Sequence, residues 1–286
     1  MRTYLKNYFS LIKFSHTVFA LPFAIIGFSF AIHSGYQSDW KKFVYVLLCM
    51  VFARSAAMAF NRYIDRKFDA LNPRTKNREI PAKIISSQSA RWFVLINSIL
   101  FILTTWFINS ICFFLSFVAL AVILGYSYTK RFTPLCHLIL GLGLALAPIG
   151  SYLAVTGVFN IIPILFGVIV FFWVSGFDII YALQDKEFDV ANNLKSIPGY
   201  LGISNALLVS RLLHLVCASI VFFIGMKFEF GYLYWIGASI FCGLLIYQHT
   251  LVKATDLSKV NIAFATTNGI GSIIFSLFAV LSFFLK

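Results

Sequence analysis

Charge is scarce in this chain. Only 12% of its 286 residues are charged, against about 25% in soluble domains. Acidic residues are scarcer still, with 10 Asp and Glu beside 23 Lys and Arg. So little charge excludes an ordinary water-soluble fold, because 60% hydrophobic content and 33 phenylalanines exceed what such a fold can bury. A bilayer removes that difficulty, since lipid replaces water at the surface. Paired cysteines are also lacking. Cys49, Cys112, Cys136, Cys217 and Cys242 stand singly in apolar runs with no CxxC spacing, which argues against a disulfide framework or a zinc site. The histidines are equally dispersed and none pairs at metal-ligand spacing. No small-x-small cleavage pattern follows the first apolar run, Val18 to Ile32, so that run reads as a membrane helix rather than a signal peptide.

What the chain has is apolar length. Nine segments approach the roughly 20 residues needed to cross the hydrocarbon core. They lie near 16–35, 42–62, 91–108, 110–128, 134–155, 160–181, 205–226, 231–252 and 262–285. The expectation is an all-α integral membrane protein of nine transmembrane helices. No linker divides it, so residues 1–286 form one domain. With the N-terminus in the cytoplasm, 17 Lys and Arg fall on the cytoplasmic side and 4, including Lys286, on the other. That asymmetry sets the orientation and places the chain in the cytoplasmic (inner) membrane. It also accounts for the net charge of +13 without nucleic acid, and no protein partner is implied.

The few acidic residues are not scattered. Seven of the ten lie in two short segments, 65–79 and 178–189. In the first, Asn61, Asp65 and Asp69 recur every four residues, which places them on one face of a helix. That helix is expected to run on to Asn72-Pro73. In the second, Asp185 and Asp189 are again four apart, with Asp178 about two turns deeper on the same face. Asp185 and Asp189 follow Asp65 and Asp69 by the same 120 residues, an offset that spans four helices and returns both motifs to one side of the membrane. Crowded carboxylates repel unless a cation joins them. Hard oxygen ligands select magnesium or calcium, and magnesium prefers one or two carboxylates plus substrate phosphates. Two facing half-sites for a metal–diphosphate follow. Surface ion pairing with Arg62, Arg66 and Lys67 is the plainer alternative, but it explains neither Asn61 nor the recurrence.

Arg54 interrupts an otherwise uncharged run from Phe43 to Phe60. A charge there is costly and usually faces a functional cavity. It lies two turns below Asn61, about 10 Å deeper. It holds either an anionic co-substrate or a structural partner such as Asp178.

At these residues the chain resembles the UbiA superfamily of intramembrane prenyltransferases. Asn61, Asp65 and Asp69 match its NxxxDxxxD motif. Asp178, Tyr181, Asp185 and Asp189 match DxxYxxxD followed by a further Asp. Asn72-Pro73-Arg74-Thr75, Arg78 and the segment Tyr126 to Arg131 continue the likeness. Lys13-Phe14-Ser15-His16-Thr17 and Phe19 to Phe23 resemble the 4-hydroxybenzoate polyprenyltransferase branch. The resemblance implies nine helices around a central cavity open laterally to lipid. It implies Mg2+ held by Asn61, Asp65, Asp185 and Asp189 with Asp69 close by. It also implies that Arg74, Arg78, Lys130 and Arg131 contact the diphosphate or the acceptor's carboxylate. The substrates implied are a polyprenyl diphosphate and a small aromatic acid, joined in quinone biosynthesis. Asp178 or Tyr181 would orient the acceptor or help remove its proton. A naphthoate of menaquinone synthesis is the alternative acceptor. A cation-coupled transporter is the alternative of another class, because intramembrane carboxylates also mark ion paths.

Overall fold

The fold is described from a computed structural model that covers residues 2–12 and 19–285, with side chains from residue 7 onward. Lys13, the 14–17 opening, the start of the first expected span and Lys286 lie outside the described residues. The described residues are almost entirely helical, with no strand among them. In order they are α1 (Arg2–Leu11), α2 (Leu21–His33), α3 (Trp40–Ile64), α4 (Arg66–Leu71), α5 (Ser87–Trp106), α6 (Ser110–Thr129) and α7 (Cys136–Thr156). After these come α8 (Ile161–Ala182), α9 (Lys186–Ala191), α10 (Ile197–Lys227), α11 (Tyr232–Leu251) and α12 (Asn268–Phe284).

Seven helical stretches among the described residues are long and apolar enough to cross a membrane. The other two expected segments are helical as well. α2 has 13 residues, about 20 Å of helix, and α11 carries Gln248 and His249 near its end. The chain is an integral membrane protein, and its surface says why. On α5 the exposed positions Trp92, Ile96, Ile99, Leu103 and Trp106 recur every three or four residues, an apolar face outward where a soluble helix would be polar. The tight α5–α6 connection is built on Asn109. Its Oδ1 accepts from the Cys112 N–H at 2.9 Å, capping α6, and its Nδ2 donates to the Leu153 carbonyl at 2.8 Å.

The interior centres on α8, packed against α7 on one side and α10 on the other. Small residues let these helices approach: a Cβ on Gly141 of α7 would meet Ser175 and the Phe171 carbonyl of α8. Trp173 of α8 is fully buried. Its Nε1 donates to Asn268 Oδ1 at 2.7 Å. Asn268 Nδ2 in turn donates to the carbonyls of Ala263 and Phe264, at 2.8 and 3.0 Å. Those carbonyls belong to a π-turn, Ile262–Thr267, that precedes α12. The wider turn aims the Phe264 ring at Tyr181, 4.2 Å between centroids. α10 is interrupted at Gly202, whose φ of 77° suits a residue without Cβ.

One expectation is corrected. The helix bearing Asn61, Asp65 and Asp69 is not continuous to Asn72. α3 stops at Ile64, Asp65 takes φ −87° and ψ 2°, and α4 follows. The face survives the break, because Asp65 N–H still donates to the Asn61 carbonyl and Asp69 N–H to that of Asp65. The second motif makes the same bend. α8 tightens into a 3-10 turn over Leu183–Asp185, Asp185 takes φ −102° and ψ 2°, and α9 follows. α4 and α9 each have six residues and start 120 residues apart, so the sequence offset is also an offset in backbone shape.

Candidate active site

Each of these bends turns carboxylates away from the helix ladder and toward the other motif. The loop after α4 closes the gap. Asn72 Nδ2 donates to Asp185 Oδ1 at 3.0 Å. Arg74 Nε donates to the same oxygen at 2.9 Å, and its Nη2 to Asp185 Oδ2. Arg78 Nη1 reaches Asp69 Oδ1 at 2.6 Å. At the end of α6, two neighbouring cations divide between the motifs. Lys130 Nζ lies 2.7 Å from Asp189 Oδ1, and Arg131 Nη2 lies 3.4 Å from Asp65 Oδ1. The four carboxylates expected to hold a metal–diphosphate are therefore each paired with one of the four cations expected to bind it. Asn61 Nδ2 donates to Asp65 Oδ2 at 3.1 Å, so the asparagine orients the first motif from within.

All twelve residues singled out from the sequence line a single cavity of about 580 Å³. Its polar mouth is ringed by the ion pairs. Its floor carries Arg54 and Asp178, with Phe177, Tyr181 and Phe264 on the wall. A second cavity of about 510 Å³ continues from it between α3, α5, α6 and α7. Arg54, Met58, Tyr126, Leu140 and Leu144 line both, and the second is otherwise largely apolar.

The electrostatics follow from crowding and burial. Burial, then the neighbouring Asp69 charge, raises Asp65 to about 6, although Arg131 and Lys130 act against this. Burial pushes the Lys130 ammonium down, but Asp189 more than compensates and the net shift is upward. Arg74 is likewise raised, because Asp185 and Tyr181 outweigh its burial.

Two sequence expectations resolve here. Arg54 does not pair with Asp178, which is hydrogen-bonded to His137 instead, Nδ1 to Oδ2 at 2.7 Å. The Arg54 Nε is buried with no hydrogen-bond partner among the described residues. Histidines dispersed in the sequence also meet in the fold: His214 Nδ1 lies 2.8 Å from His249 Nε2. His137 escaped sequence reasoning because its partner lies 41 residues away on another helix, outside any helical spacing. Ser196, whose hydroxyl donates to Asp189 Oδ2 at 2.8 Å, escaped for another reason, since it reads as an ordinary helix cap.

No three His, Cys, Asp or Glu among the described residues close into a metal cage. Magnesium does not require one, since it takes few carboxylates and completes its shell with phosphate and water. The residues present fit such an ion. Their donors are all hard oxygens, and Asp69 Oδ2 is buried without a hydrogen-bond partner among the described residues.

Helices around a polar-mouthed cavity joined to an apolar one, within an apolar-surfaced bundle, define an intramembrane enzyme. The chain belongs to the UbiA prenyltransferase family, whose profile matches residues 20–280. It is 30% identical over 240 residues to the 4-hydroxybenzoate octaprenyltransferase of Aliivibrio fischeri, covering 83% of this chain and 82% of that one. It is 31% identical over 240 residues to the protein of the same name from Paraburkholderia phymatum, covering 81% and 82%. Among solved structures, a UbiA homologue from Aeropyrum pernix superposes with a TM-score of 0.84 at 28% identity, over 93% of this chain and 97% of the other. A homologue from Archaeoglobus fulgidus, bound to DMAPP and Mg2+, superposes at 0.77 with 20% identity over 98% and 100%; that likeness is one of fold.

Proposed function

We propose that this enzyme transfers a polyprenyl chain from a polyprenyl diphosphate to an aromatic acid, 4-hydroxybenzoate, in quinone biosynthesis. The observation that carries the reading is the ring of four carboxylate–cation pairs above a cavity that becomes apolar below Arg54. The relatives named 4-hydroxybenzoate octaprenyltransferase support the acceptor.

Asn61, Asp65, Asp69, Asp185 and Asp189 would hold magnesium, which when bound neutralises the diphosphate as it leaves. Arg74, Arg78, Lys130 and Arg131 exchange their carboxylate partners for diphosphate oxygens, so the same cations serve the empty and the loaded site. The isoprenoid tail enters the apolar chamber and continues into lipid. Arg54 stands where head, tail and acceptor meet, and its guanidinium, whose Nε has no hydrogen-bond partner among the described residues, suits the acceptor's carboxylate. The aromatic wall excludes water from the allylic cation and faces it with ring electrons. The ring carbon ortho to the acceptor hydroxyl attacks, beside Asp178 and Tyr181. The 286 residues act as one domain, in the cytoplasmic membrane with the N-terminus and the cavity mouth on the cytoplasmic side, as the excess of 17 Lys and Arg to 4 supports.

The test is to incubate purified membranes with a polyprenyl diphosphate, magnesium and a panel of aromatic acids, then to weigh the product. Prenylated hydroxybenzoate is the expected result. A prenylated naphthoate would shift the acceptor to the alternative. No magnesium-dependent release of pyrophosphate would overturn the reading.

A further inference from the structure

His137 is buried at the start of α7, with a side chain 3% exposed, and it lines the cavity beside Asp178. Both of its ring nitrogens are engaged. Nε2 faces the Ile197 backbone N–H at 3.4 Å. Ile197 is the first residue of α10, so this N–H is one of the donors that a helix start leaves without an intrahelical acceptor. The cap residue Ser196 turns its Oγ to the Gly199 N–H at 3.2 Å instead.

A backbone N–H can only donate, so Nε2 must accept. The ring proton therefore sits on Nδ1, 2.7 Å from Asp178 Oδ2. A doubly protonated ring would set two donors against each other at Ile197. The start of one helix thus selects the tautomer of a side chain on a second, and that side chain donates to a carboxylate on a third. Asp178 Oδ1 has no hydrogen-bond partner among the described residues, and the Asp178 side chain is 21% exposed and lines the cavity. Tyr181 is differently placed, because its hydroxyl accepts from Arg74 Nη1 at 2.9 Å at the diphosphate end.

Resting on the function proposed above, we infer that His137 is a positioning residue for Asp178. It holds Oδ2 through Nδ1–H and leaves Oδ1 directed at the aromatic acceptor as the base that removes the ring proton. The step balances. The allylic C–O bond breaks and its electron pair leaves with diphosphate. The ring carbon forms the new C–C bond. The C–H electrons at that carbon restore aromaticity as the proton passes to Asp178 Oδ1.

The test compares His137→Leu, which deletes the donor, with His137→Asn, whose amide nitrogen falls where Nδ1 was. The substrates are geranyl diphosphate and 4-hydroxybenzoate, the latter with or without deuterium ortho to the hydroxyl. For His137→Leu, kcat falls by about 100-fold, the lower end for losing acid–base catalysis, while KM for geranyl diphosphate holds. Proton removal then limits turnover, so the ring-deuterium isotope effect rises from about 1 to above about 2. His137→Asn recovers kcat to within about tenfold of the parent and returns the isotope effect toward 1. If His137→Leu does not fold, His137→Gln carries the same test, since its amide still meets the Ile197 N–H but moves away from Asp178. A folded variant that keeps its kcat, or loses kcat with no change in the isotope effect, overturns the inference. The unmodified enzyme is assayed first. Failure to prenylate 4-hydroxybenzoate there would count against the proposed function; normal prenylation with an unmoved isotope effect in the variant counts only against His137.

Discussion

Arg74 grips Asp185 through two parallel hydrogen bonds, Nε to Oδ1 at 2.9 Å and Nη2 to Oδ2, while its Nη1 donates to the Tyr181 hydroxyl at 2.9 Å. One guanidinium thereby joins the loop after the first motif to two residues of the second. Its fork is a shape lysine cannot reproduce. Asp185→Asn keeps the volume and removes the charge. Turnover should fall by at least about 100-fold, the scale for losing one transition-state electrostatic contact. Arg74→Lys should raise the KM for prenyl diphosphate more than that for the aromatic acid. Steady-state kinetics on each substrate, with magnesium saturating, checks both. Near-normal turnover of Asp185→Asn would remove it from the metal site.

Asp65 has a pH consequence. Its folded pKa of about 6 lies above the unfolded value of about 3.9. The folded state therefore binds the proton more tightly. The stability this contributes is fully present below the unfolded pKa and is lost as pH rises through about 6. Without metal, the parent should lose thermal stability between about pH 4 and about pH 6, the window between those two values, relative to Asp65→Asn. Magnesium with pyrophosphate should flatten the difference by favouring the charged carboxylate. Melting curves at several pH values, with and without the ligands, decide the matter. Parallel curves for parent and variant would contradict the placement of Asp65.

Orientation is tested by labelling. Cysteines placed at Lys76 and Lys195 should react only from the cytoplasmic side, and one at Gln37 only from the other. Gln37 lies between α2 and α3, Lys76 in the loop after α4 and Lys195 just before α10. Labelling of Gln37 and Lys76 from one side would break the proposed topology.

Much of this molecule is written in local patterns, and local patterns are what a sequence displays. The apolar runs became helices because a segment in lipid must satisfy its own backbone. The four-residue spacing of Asn61, Asp65 and Asp69 survived the break at Asp65, because the i to i−4 hydrogen bonds persist across it. What stayed hidden depends on long-range pairing. His137 and Asp178 meet only because α7 and α8 pack together, and the Lys130–Asp189 pair needs the end of α6 beside α9. The π-turn was invisible for a related reason. It is held by Asn268, whose partner Trp173 is 95 residues away.

Arg54 is the sharpest test of where the acceptor sits. Its Nε is buried and lacks a hydrogen-bond partner among the described residues, and it lies on the wall shared by the polar and apolar cavities. A buried charge left without a partner is costly, and in the proposed function the acceptor supplies that partner. In the same proposal diphosphate is not that partner, because the four cations at the mouth would ring its position and Arg54 lies two helical turns below Asn61. An aromatic carboxylate fits the place and the fork, since two parallel hydrogen bonds also set the orientation of the ring. Arg54→Lys keeps the charge and loses the fork, so KM for the aromatic acid should rise while KM for prenyl diphosphate changes little. Arg54→Ala should weaken acceptor use further, by about 2–5 kcal/mol for a desolvated pair. A purely structural arginine would instead lower the folded yield of both variants and leave the kinetics of the surviving protein unchanged. A folded Arg54→Ala that loses only prenyl diphosphate affinity would move the acceptor elsewhere in the cavity.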